Sequence, residues 1–481
     1  RVEYMIPAPD DDYDISPKIA DYAKENNIAL IITVDCGISA FDTAAKISEY
    51  NIDLIITDHH EPQDTLPNAY TILNPKQIDC EYPDKMLAGC GVALKLASAI
   101  ILYFSRNNFF FESDADNLKK ISSAELLKNY NYKLFLRKYL PIAAIGSIAD
   151  VVPLANENRI ITKLGYDILK AAPPLFAKIL FEKLGIEKIS GNTIGFKIAP
   201  LLNASRRMKK ISYSLDFLLT DDKAQLYALC EYLMELNKLR KIKTDEFYEI
   251  AVADAETQIE KENTNVVILK YSQFEHGVTG LVANKLRELF NCPIFLFVEE
   301  DGILGGAGRA DGNINLVETL SNFKEYLIKF GGHKYAVGLS MTLDNFENFK
   351  KAMIEYFAKF EMISKDKMIE IDTDLLIDDI NFELLDYLKI LEPFGTLNEE
   401  PIFYCENMRI KYAKAIGADN RHLSITLQSS VLSNLRAVLW NKGDLINKLT
   451  TNQNISAVFT LEENIFRNVR YAQLKIIEIL I

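Results

Sequence analysis

The residues best suited to chemistry in this sequence are two adjacent histidines. The chain has only five, at positions 59, 60, 276, 333 and 422, and His59 and His60 follow directly on Asp58. A further carboxylate, Asp35, ends the preceding apolar run. Neutral imidazole combined with carboxylates suits borderline divalent cations such as Mn2+, whereas carboxylates alone suit Mg2+. A third acidic group, Asp150, stands in the apolar stretch Ile145-Gly146-Ser147-Ile148-Ala149-Asp150-Val151-Val152-Pro153-Leu154. Burying an unpartnered carboxylate there is costly, and a cation would remove that cost. The competing reading is a helix-end carboxylate that caps the following turn.

These groups need elements to hold them. Residues 17–26 have a helical pattern, 29–34 form an apolar strand ending at Asp35, 40–50 a second helix, and Asp53–Thr57 a second strand ending at Asp58. β-Branched runs separated by helices predict a doubly wound parallel sheet covered on both faces. Chemistry in such sheets sits beyond the carboxyl ends of the strands, where both polar clusters fall. Helices are predicted at 87–104 and 133–149, the second ending just before Asp150, and Pro173-Pro174 breaks the chain. One long helix over 221–262 reads as a bridge between domains. A new α/β pattern runs from 266 to about Phe360. The short alternating segments Tyr412–Thr426, Ala437–Asn441, Ala457–Leu461 and Tyr471–Ile477 predict a small β-barrel. Val2–Ile6 reads as a strand.

Composition sets outer limits. The 481 residues are enough for about three domains. With 49% hydrophobic and 25% charged residues the chain is globular rather than disordered or fibrous. Lys and Arg number 54 against 67 Asp and Glu, a net charge of −13, which argues against a histone-like coat for nucleic acid but leaves room for a local basic groove. Six scattered cysteines without a C-x-x-C pair suggest a reducing, cytoplasmic setting. No apolar run reaches the length of a membrane span, and no signal peptide is expected.

At the motifs the sequence resembles a known family. IITVDCGIS (31–39), ITDHHEP (56–62), AAIGSIADVVPL (143–154), PLLNASRRM (200–208) and LNKLRK (236–241) are similar to the DHH phosphoesterase superfamily, and within it to the RecJ-type single-strand-specific 5′→3′ exonucleases. EHGVTGLVANKL (275–286), GGAGRA (305–310) and FGGHKYAVG (330–338) resemble the DHHA1-type domain of these proteins. LEPFGTLNEEP (391–401), RHLSITL (421–427) and YAQLKI (471–476) resemble their OB-fold. The resemblance implies a DHH domain over 1–220, a connecting helix over 221–262, a smaller α/β DHHA1 domain over 263–361 and an OB-fold barrel over 366–481.

It also implies roles. Two divalent cations, Mn2+ or Mg2+, would be held by Asp35, which bridges them, and by His59 and Asp150. His60 would contact the substrate phosphate while Asp58 orients a histidine from behind. Asn203, Arg207, Arg309 and His333 would hold phosphates, with Gly331 and Gly332 letting the backbone approach the substrate. The residues allow other readings of several of these. Arg207, beside Arg206, Lys209 and Lys210, reads equally as a solvated basic face. Gly331-Gly332 reads as a helix C-cap after Phe330, Gly305–Gly308 as a hairpin turn, and Gly89-Cys90-Gly91 as tight helix packing. His422 reads as a strand residue, and His276 either way.

Departures from the family pattern are equally specific. The family's first motif, Asp-x-Asp-x-Asp-Gly, belongs before Tyr4 and is not in the sequence, which begins at Arg1; an N-terminal segment carrying it is expected to be missing. Pro9 stands where relatives have Arg, and Asp12 and Asp14 where they have Gly. Leu201 and Arg206 replace an Arg and a Gly, and Ala307 and Ala310 replace serines. The implied activity is removal of 5′-mononucleotides from single-stranded DNA in recombination and repair. The chain would act as a monomer without membrane association, with a single-strand-binding protein and a RecQ-type helicase as partners. The alternatives are a catalytically silent single-strand-binding scaffold and a DHH/DHHA1 oligoribonuclease or cyclic-dinucleotide phosphodiesterase.

Overall fold

Three parallel strands open the fold in the computed structural model, which describes residues 2–6, 15–106, 130–312, 314–360, 368–432, 435–466 and 469–481. Strand β1 (Leu30–Val34) pairs with β2 (Asp53–Thr57) in the register Leu30↔Asp53, and β2 pairs with β3 (Thr71–Leu73). Helices α1 (Lys18–Glu25) and α2 (Phe41–Glu49) cover one face with Ala20, Ala23, Ala44 and Ile47. The sheet is not covered on both faces along β1. Leu30, Ile32 and Val34 alternate outward and are exposed, helix α3 (Gly89–Arg106) touching β1 without covering these side chains. Residues 2–6 form no strand: an alternating apolar pattern needs a neighbouring ladder, and none is available among the described residues. Side chains hold them instead, with Tyr4 donating to Asp216 and Tyr22 to Glu3. Pro9, Asp12 and Asp14 lie outside the described residues.

A helical layer completes the first unit: α3 (Gly89–Arg106), α4 (Tyr130–Ala149), α5 (Asn156–Ala171), α6 (Leu175–Leu184), α7 (Ala199–Arg207) and α8 (Ser212–Leu219). Pro174 is the N-cap of α6, so the diproline does separate two helices. Helix α9 (Lys223–Glu262) has 40 residues and is about 60 Å long at the ordinary helical rise. Asp222 caps it by accepting the N–H of Gln225. Its first half buries Leu226, Cys230 and Leu233 in the core of the first unit. Its second half buries Phe247, Ala251 and Ala255 against the next sheet.

That sheet has the order β4 (Val267–Tyr271), β5 (Ile294–Glu300), β6 (Ile303–Arg309), β8 (Ala336–Thr342), β7 (Lys329–His333). Only β4–β5 is parallel. Helix α10 (His276–Phe290) packs on one side, α11 (Phe346–Phe357) on the other. Gly305–Gly308 is not a hairpin turn. It is the middle of central strand β6, where a Cβ on Gly306 would lie 2.5 Å from the Phe297 ring and one on Gly308 2.6 Å from Val337. Gly331 and Gly332 do not end a helix either; both lie in β7.

Strand β9 (Thr373–Asp374) and helix α12 (Phe382–Leu391) lead into the last unit. The segment read as Tyr412–Thr426 is two strands, β10 (Phe403–Ile416) and β11 (His422–Leu427), because Gly417 at φ 87 turns the chain between them. Pairing continues through β12 (Leu435–Leu439), β14 (Val469–Leu480) and β13 (Asn454–Phe466), then returns to β10. Leu423, Ile425, Phe459 and Leu474 fill the interior. Among the described residues no helix is long and apolar enough to cross a membrane.

Candidate metal centre

The ends of β1 and β2 build the site. Beyond Val34 the chain leaves the ladder at Asp35, whose φ is 63°, although its N–H still donates to Thr57 O at 2.9 Å. Gly37, at φ 109, and a bond from Thr33 Oγ1 to Cys36 O at 2.7 Å shape the turn. A Cβ on Gly89, at the start of α3, would lie 2.0 Å from Asp35 Oδ1. The sequence reading of Gly89-Cys90-Gly91 as helix packing therefore missed what Gly89 accommodates. It makes room for a candidate ligand.

Asp58, at 1% exposure, is the organising carboxylate. It accepts the N–H groups of Ile38 (3.0 Å), His59 (2.7 Å) and His60 (3.2 Å), and lies 2.7 Å from His60 Nδ1. Burial alone would raise its pKa, but His60 and these N–H groups outweigh burial and hold it below the usual carboxylate range. The same bond to Asp58 raises His60 above the ordinary histidine value. His59 is buried, with Nε2 3.1 Å from Asp35 Oδ1 and 3.5 Å from Asp150 Oδ2. Partial burial raises the Asp150 carboxyl, Asp35 adds to the rise, and His59 opposes it. Asp150 is half-exposed beside a histidine, which differs both from an isolated buried carboxylate and from a simple helix cap.

Candidate ligand atoms of Asp35, His59 and His60 all lie within 4.8 Å of one another. Oxygen and imidazole donors so arranged fit a borderline or hard divalent cation. Asp35 and Asp150, both drawn to one histidine, are the carboxylates whose mutual repulsion a cation would relieve.

The second sheet brings further residues to this point. His333, at the end of β7, stacks on His60 with ring centroids 5.7 Å apart and planes 16° from parallel. Burial and the neighbouring His60 lower its pKa. Both Arg309 and His333 pair with Ala336 across β8, so they lie two strand spacings apart, roughly 10 Å. Arg309 donates to Gly308 O at 2.7 Å, and a Cβ on Gly280 would lie 2.6 Å from its Nη2. Arg207 donates to Gly277 O at 3.0 Å and is near Arg240. The two arginines therefore converge on the first turns of α10 from opposite units. Asn203 is exposed on α7, one turn before Arg207. Gly331 and Gly332 are exposed next to His333, and a Cβ on Gly332 would lie 2.3 Å from Ala336 O. Leu201, Ala307 and Ala310 are buried, so these departures sit in the packing behind the arginines. His276 packs against Gly305.

The barrel carries a surface that sequence reasoning did not single out. Cross-strand register places Tyr412, Thr426, Arg436 and Gln473 in one row and His422 and Trp440 in another on the same outer face. Trp440, the chain's single tryptophan, is 56% exposed and sits edge-on to His422. Arg436 lies over Tyr471 at 5.0 Å. Alternation of aromatic and basic residues along β10–β12 was the available signal.

Family models match three stretches: the N-terminal domain of the DHH family over residues 1–126, the DHHA1 domain over 263–359 and the RecJ OB domain over 371–478. Fold and site thus define a DHH-class phosphoesterase architecture extended by DHHA1 and OB units. The single-stranded-DNA-specific exonuclease RecJ of Haemophilus influenzae is 30% identical over 488 residues, spanning 98% of this chain and 81% of that protein. The chain belongs to the RecJ family. RecJ of Bacillus subtilis is 33% identical over 94% of this chain, which spans 54% of its length. A crystal structure of Thermus thermophilus RecJ in complex with Mn2+ aligns at a TM-score of 0.77 and 26% identity, over 97% of this chain and 63% of that one.

Proposed function

We propose that this chain is the catalytic portion of a metal-dependent exonuclease that removes 5′-mononucleotides from single-stranded DNA, 5′ to 3′, in recombination and repair. The observation that carries the reading is the convergence at the sheet edge: His59 between Asp35 and Asp150, and His60 held by Asp58 against His333 of the second unit. Asp35, His59 and Asp150 would hold two divalent cations, Mn2+ or Mg2+. When bound, such a pair supplies a water of lowered pKa and neutralises charge on the oxygens of the phosphodiester. The chain's own residues do the remaining work. Asp58 holds the His60 ring in place through Nδ1 and favours its protonated form, in which Nε2 can donate to a phosphate oxygen. His333 limits the ring's rotation. Arg207, Arg309 and Asn203 grip neighbouring phosphates, arginine through its planar fork. Gly331 and Gly332 leave backbone room beside them.

The OB surface favours a polymer over a dinucleotide as substrate, since successive bases can stack on exposed aromatics. On this reading the protein works as a cytoplasmic monomer, supplied with strands by a RecQ-type helicase and a single-strand-binding protein. The test uses the protein expressed from its full coding region, with Mn2+ and a 3′-labelled single strand bearing a 5′-phosphate. Stepwise shortening from the 5′ end, abolished by chelator, is expected. Binding without cleavage would leave a silent scaffold, and preferential cleavage of dinucleotides would move the chain to the shorter phosphodiesterases.

A further inference from the structure

We infer that the loop joining α12 to the barrel, residues 390–398, is part of the scaffold of the candidate metal site: it braces the turn that presents Asp150. The inference rests on the assignment of Asp150 as a ligand.

The turn itself is unfavourable. Val151, directly after Asp150, has φ 59°, a region that β-branched residues avoid, and its side chain is 66% exposed, so packing does not compensate. Such a conformation persists only where its surroundings fix both ends. The near end is fixed by α4, with Asp150 N–H donating to Gly146 O at 2.9 Å. The far end is fixed largely from outside the first unit. Leu154 N–H donates to Thr396 O at 2.7 Å, and the buried Leu154 side chain fills the space that a Cβ on Gly395 would need, 2.7 Å away. Asn158 adds a bond to Pro153 O at 3.2 Å from within the unit.

The bracing loop is itself held firmly. Gly395 and Asn398 exchange two backbone bonds, and the Asn398 side chain donates to Leu391 O and Pro393 O. Arg159, on the helix that follows the turn, donates to the carbonyls of Leu391 (2.7 Å), Pro393 (3.0 Å), Glu392 (3.3 Å) and Ile390 (3.4 Å). These are the final carbonyls of α12 and its exit, where a cation is favoured by the helix dipole. Tyr166 donates to Glu392 Oε2 at 2.6 Å. On the other side, Gly191 lets Phe394 O approach to where a Cβ would be 2.1 Å away. Arg159 is therefore a positioning residue: its guanidinium is spent on the loop carbonyls, and it acts through the loop and Leu154 on Asp150.

The experiment measures Mn2+ binding calorimetrically, without DNA, in the full protein and in Asp150→Ala, Arg159→Ala, Gly191→Ala and the Asp150→Ala/Arg159→Ala double variant. Single-strand affinity in chelator and thermal melting are followed in parallel. Arg159→Ala should weaken Mn2+ binding by about tenfold or more, the range seen when supports behind metal ligands are removed. Gly191→Ala, which displaces the loop from the opposite side, should do the same and carries the test if Arg159→Ala does not fold. The double variant should bind no more weakly than Asp150→Ala alone, because both act on one ligand. Unchanged Mn2+ affinity in both loop variants, or additive losses, would make the loop a mere tether for the barrel and overturn the inference. If Asp150→Ala itself binds Mn2+ normally, the ligand assignment falls, and the inference with it.

Discussion

Asp58 makes four contacts with three residues and is almost wholly buried, which leaves it poorly placed to meet a cation directly. Its sequence position, next to two histidines, invited a ligand role, and only the resemblance separated it from them. Geometry makes the separation physical: a carboxylate already accepting three N–H groups has little lone-pair capacity left beyond His60. Replacing it with Asn keeps the size but removes the charge that raises the His60 pKa. Asp58→Asn should therefore lower single-turnover hydrolysis in Mn2+ by roughly ten- to a hundredfold while single-strand affinity changes little. A wild-type rate in that variant would show that His60 needs no anionic partner. The strand-end residues were legible because apolar runs ending in polar triplets mark sheet edges. Arg159 was not, since its partners lie more than 230 positions away and nothing local signals them.

Elements read from periodicity were found within a few residues: β1, β2, α2, α3 and the long α9 all follow apolar spacing that needs no distant partner to be recognised. Glycine-rich segments were harder. In Gly305–Gly308 and Gly331-Gly332 the same composition serves a turn, a cap or a strand, and only neighbouring rings or strands decide which. Gly89 is the case with the sharpest consequence. A methyl there would overlap the Asp35 carboxyl, so the side chain must swing away from His59. Gly89→Ala is expected to reduce Mn2+ affinity at least tenfold with only a small change in melting temperature. Equal losses of both would mean that the helix, not the ligand, moves.

At the next level, α12 is tied to the barrel through Glu463, which is buried between Lys389 and Arg470. Burial alone would raise this carboxyl, but the two cations outweigh burial and hold it below the usual glutamate range. A lowered folded-state pKa contributes stability that is complete above the ordinary value and is lost as pH falls through the lowered one. The melting temperature should therefore drop between about pH 5 and pH 3, and Glu463→Gln should flatten that part of the profile. An identical acid profile in the variant would show that the pair contributes nothing to stability.

Across the whole molecule the charge balance is acidic, so any grip on a nucleic acid strand must be local. The barrel's outer face supplies such a place, with Trp440, Tyr412 and the Arg436–Tyr471 pair on one side of the sheet. If bases stack there, Trp440→Ala should weaken binding of a long single strand by roughly five- to a hundredfold, as read by fluorescence anisotropy in chelator. Shortened strands that cannot reach the barrel should bind both proteins alike. The change from an α/β pattern to short alternating strands was legible in the sequence; the docking of the barrel was not, because it depends on carbonyls and glycines whose role exists only once two surfaces meet.

Helix α9 also decides how the protein can be dissected. Leu226, Cys230 and Leu233 belong to one interior, and Leu236, Phe247, Ala251 and Ala255 to another that also takes Ala204 and Met208 from the first unit, so no truncation point inside the helix leaves both interiors whole. A fragment ending before it strips the first piece of a wall, and one starting after it leaves β4 and α10 open on one face. Expression of isolated halves should be planned with the entire helix kept on each, so that the two pieces overlap in sequence.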